Sequence, residues 1–93
     1  MFSKLILDNQ FRYSVSLTRT DDGMLGFVRN GRRIVKIYDG SPASKNGKVK
    51  TGDEIVAINH KEVLNVDDIS RLFRESGSSI IITMSRRSVY KSS

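Results

Sequence analysis

Glycine or proline stands between most of the apolar runs of this chain, which restricts it to short elements joined by tight turns. Tyr13-Ser14-Val15-Ser16-Leu17-Thr18 alternates and is rich in β-formers, so it reads as a strand. Asp21-Asp22-Gly23 separates it from Met24-Leu25-Gly26-Phe27-Val28-Arg29, a second strand with a glycine inside it. Asn30-Gly31 tolerates the positive φ angles of a tight hairpin, and Arg32 to Tyr38 is the return strand. A short helix follows, with Ser41 as its cap, Pro42 at its first position and Asn46-Gly47 as its left-handed end. Thr51-Gly52 then turns the chain into a strand over Asp53 to Asn59, followed by a turn at His60-Lys61 and a short extended Glu62-Val63-Leu64.

A longer helix starts near Asn65, a capping residue, with Asp67 and Asp68 in the first turn where the helix dipole favours them. Ile69 and Leu72 fall on a core-facing stripe, and Val66, Ser70 and Phe73 on an adjoining one. Gly77 is the expected end. The last strand, Ser79 to Met84, holds three consecutive isoleucines and belongs in the centre of a sheet. The pattern predicts an α+β fold: a partly open β-barrel or sandwich of five to six strands with two helices. Residues 1–12 read as an N-terminal extension, 13–86 as the domain, and 87–93 as a polar tail.

Composition narrows the function classes. At 93 residues and 38% hydrophobic, the chain holds one core and leaves little interior for a water-excluding catalytic pocket. Without cysteine there is no disulfide framework, thiolate nucleophile or Cys-type zinc site, and His60, the single histidine, cannot form a metal site or catalytic pair alone. The expectation is a non-enzyme with no cofactor and no metal. No stretch approaches the roughly twenty apolar residues that cross a bilayer, and Met1 to Leu7 is too short for a secretory signal, so a cytoplasmic location is expected. The net charge of +6 lies entirely in residues 1–50, which hold 10 basic and 4 acidic side chains against 6 of each in residues 51–93. Such an excess favours anionic partners or merely keeps a domain soluble. The seven aromatic residues are not interleaved with the basic ones, which argues against nucleic acid.

The most informative segment runs from Arg19 to Phe27. A glycine flanked by apolar residues at the start of a strand lets consecutive backbone amides converge as an anion-binding nest, with Leu25 and Phe27 framing an apolar hollow. Taken alone, Gly26 reads equally as a bulge between two core residues.

With the remainder of the pattern, the sequence resembles the PDZ domain family. Met24-Leu25-Gly26-Phe27 with Arg19 upstream looks like the family's binding loop, Asp39 to Gly47 like its first helix, and Gly52 to Asn59 like its fourth strand. The match extends from about Tyr13 to Arg86. The resemblance implies capture of a partner's free C-terminus, added as a strand between the second strand and the long helix. The amides of Leu25, Gly26 and Phe27 are expected to receive the carboxylate, with Met24 in the same loop and Arg19 assisting through an ordered water. Leu25, Phe27 and Phe73, with Ile69 behind, are expected to hold the last side chain, of a size suited to Val, Leu, Ile or Ala. Val28, Arg29, Val66 and Ser70 complete the expected groove. Val66 at the first position of the long helix implies an apolar ligand residue two before the terminus. Arg29 implies an acidic or aromatic one, and Asp67 takes the selector position if the helix starts one residue later. The implied partners are C-termini of membrane receptors or other signalling proteins, met at the inner face of a membrane by a monomer or weak homodimer.

Arg29, Arg32, Arg33, Lys36, Lys45, Lys48 and Lys50 give a second reading, binding to a phosphoinositide or other anionic phospholipid. The plainer alternative is a solvated hairpin whose charges blunt an exposed edge. Val66 and Phe73 likewise read as core residues.

Overall fold

A computed structural model describes the backbone of residues 8–89 and the side chains of residues 11–87. In chain order the elements are β1 (Asp8–Thr18), β2 (Phe27–Asn30), β3 (Arg33–Ile37), α1 (Pro42–Asn46), β4 (Glu54–Ile58), β5 (Lys61–Glu62), α2 (Val66–Glu75) and β6 (Ser79–Val89). The six strands form an open antiparallel sheet in the order β1-β6-β4-β3-β2, with β5 on β4, so the expected α+β architecture with two helices holds.

The isoleucine-rich strand is central, between β1 and β4. Ile80, Ile82 and Met84 alternate into the interior and are fully buried, with Ile55 opposite Met84 and Ile58 opposite Ile82 on β4. From α2, Ile69 and Leu72 close the core, as the helical spacing requires. Each such side chain contributes about 1.5–3 kcal/mol relative to an exposed one.

Both helix starts follow from their caps. Ser41 Oγ accepts the Ser44 amide at 3.2 Å, Pro42 opens α1, and Gly47 closes it at φ 80°. Asn65 and Asp68 exchange side-chain-to-amide hydrogen bonds, a complete capping box. Arg71, at 3.1 Å, and the Leu64 and Asn65 amides hold the Asp68 carboxyl below the usual carboxylate range.

Several boundaries differ from expectation. β1 begins at Asp8 and β6 continues to Val89, so residues 8–12 and 87–89 are strand; the rest of the expected extension and tail lies outside the described residues. The added segments are mostly polar, with Phe11 extending the alternation of Tyr13, Val15 and Leu17 by one position, and the pairing that makes them strand runs through backbone groups. β2 starts at Phe27 and not Met24, because Gly26 adopts φ 97°. The hairpin loop is Gly31-Arg32, not Asn30-Gly31: Asn30 pairs with Arg33, and only Gly31 has positive φ, the type II′ pattern. The β4–β5 turn is Asn59-His60, both at positive φ, one residue earlier than expected. α2 stops before Ser76, whose extended backbone at ψ 159° ends it without help from Gly77.

A buried carboxylate ties the sheet together. Asp53 is 2% exposed and accepts from Arg86 Nε at 2.8 Å, Arg86 Nη2 at 2.7 Å, the Lys50 amide at 3.1 Å and the Tyr13 hydroxyl. Arg86 also donates to the Lys48 carbonyl at 2.7 Å and stands over the rings of Phe11 and Tyr13, at 5.4 and 5.0 Å. Burial by itself would raise the Asp53 carboxyl, but hydrogen bonds from Arg86, Tyr13 and Lys50 outweigh it and hold the group below its ordinary value. Burial, followed by the hydrogen bond to Asp53, pushes the Tyr13 hydroxyl well above its ordinary value.

Two predictions follow from this network. Arg86→Met leaves the carboxylate buried without its cation and lowers unfolding free energy by about 3 kcal/mol in urea titration; a loss below about 1 kcal/mol would contradict the assignment. The pH dependence is two-sided. Asp53 titrates lower when folded, so its stabilisation is complete above about pH 4 and drains away as pH falls further. Tyr13 titrates higher when folded, so its contribution is complete below about pH 10 and is lost as pH rises beyond that. Thermal melts of Tyr13→Phe should lose less stability between pH 9 and 11 than the parent does, and identical alkaline slopes would count against the hydrogen bond.

Candidate functional site

The loop between β1 and β2 is built by its own hydrogen bonds. Thr20 N–H donates to the Met24 carbonyl at 2.9 Å, Gly23 N–H to the Thr20 carbonyl at 2.8 Å, and Met24 N–H to Thr20 Oγ1 at 3.1 Å. The Thr20 hydroxyl donates to Asp22 at 2.6 Å and holds that exposed carboxyl below its ordinary value.

Gly26 is fixed by two requirements. Its φ of 97° is one that only glycine adopts readily, and a Cβ placed on it would stand 2.0 Å from Ser41 Cβ. This close approach docks the loop on the cap of α1. The Leu25 carbonyl accepts the Ala43 amide at 3.1 Å, and the Gly26 carbonyl accepts the Tyr38 amide at 2.9 Å and Ser41 Oγ at 3.3 Å. Both carbonyls are thus turned into the fold, while the Leu25 and Gly26 amides have no acceptor among the described residues. Leu25 and Gly26 line a hollow of about 220 Å³ together with Arg19, Gly23, Met24, Phe27, Arg29 and Phe73. Across it the Phe27 and Phe73 rings stand 6.2 Å apart, tilted by 54°.

Arg19 closes one end. Its guanidinium donates to the carbonyls of Gly23 (2.9 Å), Phe73 (2.8 Å) and Gly77 (3.2 Å) and to Ser76 Oγ (3.2 Å). This ties the loop to the C-terminal end of α2, where a cation also meets the negative end of the helix dipole. β2 is the outermost strand of its sheet, paired on one edge with β3 and on the other with no described strand. Phe27 and Arg29 are half-buried, and Val28 and Asn30 alternate with them to the exposed face. Arg29 spans to the helix, with Nη2 donating to Ser70 Oγ at 2.7 Å and Nη1 to the Gly31 carbonyl at 2.9 Å.

The structure therefore gathers Arg19, Met24, Leu25, Gly26, Phe27, Arg29 and Phe73 around one hollow, with Ser70 at its side. Val66, 44% exposed, lies farther along, facing the Gly31 turn. Ile69 is fully buried in the core, and Val28 is on the opposite face of β2 from Phe27. The basic residues are differently engaged. Arg32 donates to the Val63 and Leu64 carbonyls, at 3.1 and 3.2 Å, Arg33 pairs with Glu54 at 3.6 Å, and Lys36 stands 4.8 Å above the Tyr38 ring. Lys45, Lys48 and Lys50 are exposed around the end of α1 and the loop that follows it. Ser41 and Ser76 escaped the sequence reading as site residues. The available signal for Ser41 was the need for a small neighbour beside Gly26; nothing in the sequence marks Ser76.

The geometry has counterparts among known proteins. A family model described as "PDZ domain" matches residues 33–86. Two curated relatives are both membrane-associated guanylate kinase, WW and PDZ domain-containing protein 3. The one from Gallus gallus is 32% identical over 85 residues, covering 77% of this chain and 8% of the relative. The one from Rattus norvegicus is 30% identical over 88 residues, covering 81% and 6%. The chain thus spans less than a tenth of the length of these relatives. Among solved structures, the second PDZ domain of Dlg1 from the choanoflagellate Monosiga brevicollis shares the fold, with a TM-score of 0.70 at 20% identity over 80% of this chain and 97% of that one. The chain belongs to the PDZ domain family of protein-interaction modules.

Proposed function

We propose that the chain is a non-catalytic adaptor that captures the free C-terminus of partner proteins, added as a strand antiparallel to β2 in the gap between β2 and α2. One observation carries the reading: two amides without acceptors among the described residues, those of Leu25 and Gly26, stand at the head of a hollow lined by Leu25, Phe27 and Phe73 with Arg19 and Arg29, beside an open strand edge. The terminal carboxylate takes these amides and that of Phe27, and the last side chain enters between Leu25, Phe27 and Phe73. Arg19 supplies positive charge at the carboxylate end while holding the loop to the helix, so any contact with the ligand runs through water. The partners on this reading are C-termini of membrane receptors or signalling proteins at the cytoplasmic face of a membrane. Relatives named as membrane-associated support that location. From two loop lengths, the five residues between Arg19 and Leu25 and the very short β2–β3 connection, we further propose a closer likeness to the second PDZ domain of syntenin.

Exposed Arg33, Lys36, Lys45, Lys48 and Lys50, with the half-buried Arg32 beside them, favour a second activity alongside the first, binding of anionic phospholipid.

Titration calorimetry with a peptide ending in an apolar residue tests the first reading. The free acid should bind at least tenfold more tightly than the C-terminal amide, the loss of about two charge-assisted hydrogen bonds, and equal affinities would refute carboxylate capture. Gly26→Ala should abolish the binding, since both its φ and the approach to Ser41 exclude a methyl group. For the second activity, sedimentation with phosphatidylserine vesicles should pull the protein down, and Arg32→Glu with Arg33→Glu should release it. Unchanged sedimentation of the double variant would remove the lipid reading.

A further inference from the structure

Arg29 stands where a bound strand would meet it. A ligand whose carboxylate lies at Leu25 and Gly26, the N-terminal end of β2, runs antiparallel to β2. Its last residue lies against Phe27, and its third-from-last residue lies against Arg29, because the two strands advance together and every second side chain shares a face. Phe27 reaches Phe73 and Arg29 reaches Ser70, so both turn toward α2 into the gap that the ligand's last and third-from-last side chains also enter.

Among the described residues the guanidinium in that gap has only neutral partners. Its acceptors are the Gly31 carbonyl and Ser70 Oγ, whereas Arg33, Arg71 and Arg86 each face a carboxylate. Arginine stays charged in any protein environment, and its planar fork accepts a carboxylate through two parallel hydrogen bonds. A half-buried cation held by a hydroxyl and a carbonyl thus gains more from an incoming carboxylate than from an apolar or amide side chain.

Resting on the C-terminal-peptide reading above, we infer that Arg29 selects an acidic side chain at the third-from-last residue of the ligand. Ser70 is the positioning residue: it holds the guanidinium across the groove until the ligand carboxylate replaces it. This differs from the apolar preference that Val66 alone implies. Val66 lies beyond the gap, against the turn at Gly31, and Arg29 occupies the gap itself.

Fluorescence polarisation with octapeptides that share every residue but the third from last decides the matter. With the unmodified protein, the Glu peptide should bind about fivefold more tightly than the Gln peptide, the scale of a partly exposed ion pair, and more tightly than the Val peptide. The advantage should shrink in 0.5 M salt. Arg29→Met should make Glu and Gln equal, Arg29→Lys should retain part of the difference, and Ser70→Ala should reduce it, because the guanidinium is then no longer held across the groove. Equal Glu and Gln affinities in the unmodified protein, a tighter Val peptide, or a Glu advantage that survives Arg29→Met would each overturn the inference. The amidated Glu peptide separates the two levels. If it binds as well as the free acid, the C-terminal reading fails. If the free acid is required while Glu and Gln tie, the selection by Arg29 alone fails.

Discussion

The carboxylate of Asp53 is the constraint on which the sheet depends. Its four donors come from β1, the loop before β4, and β6, so one side chain joins segments separated by 40 residues on one side and 33 on the other. A buried charge is costly unless every lone pair is used. Here burial works against ionisation, and the donors around the carboxylate reverse the balance. Strand β6 is thereby fixed between β1 and β4, and the isoleucines that point from it into the core take their register from the same point.

The groove depends on a different economy of backbone groups. At Gly26 the chain turns its carbonyls toward α1 and β3, and what one side satisfies the other side leaves open. The same conformation that docks the loop on Ser41 therefore exposes amides in the hollow. Arg19 and Arg29 brace the two sides of the gap, one through the end of α2 and one through its middle. Neither is neutralised within the described residues by a carboxylate, so the region between β2 and α2 keeps a positive potential.

Much of the fold was legible because local chemistry and tertiary packing agree. Ser41-Pro42 and Gly47 bracket α1, Asn65 and Asp68 cap α2, and Ile80 to Ile82 sit in the centre of the sheet. The glycine in the loop before β2 was legible for the same reason, since Gly26 is required by φ and by contact at once. What escaped was set by long-range pairing. The outer halves of β1 and β6 are mostly polar, with Phe11 alone extending the alternation of Tyr13, Val15 and Leu17, and they are strand because each supplies the other's backbone partners. Asn30-Gly31 carries the stronger local turn signal, yet the chain turns at Gly31-Arg32, where the two-residue loop lets Asn30 pair with Arg33. The bond from Arg29 to Ser70 joins residues 41 apart, and no periodicity within β2 or α2 announces it.

The terminal ladder has a mechanical consequence. Asp8 lies opposite Val89, and from there the pairing runs inward to Thr18 opposite Ser79. The polypeptide therefore enters and leaves the fold at one place, on two antiparallel strands. Tension applied through both ends would load the hydrogen bonds one pair after another, like a zipper, and not all together in shear. The outer pairs would part first, and resistance would rise where Tyr13 and Arg86 meet Asp53. That buried carboxylate thus acts as a stop, beyond which pulling must break the core instead of peeling an edge.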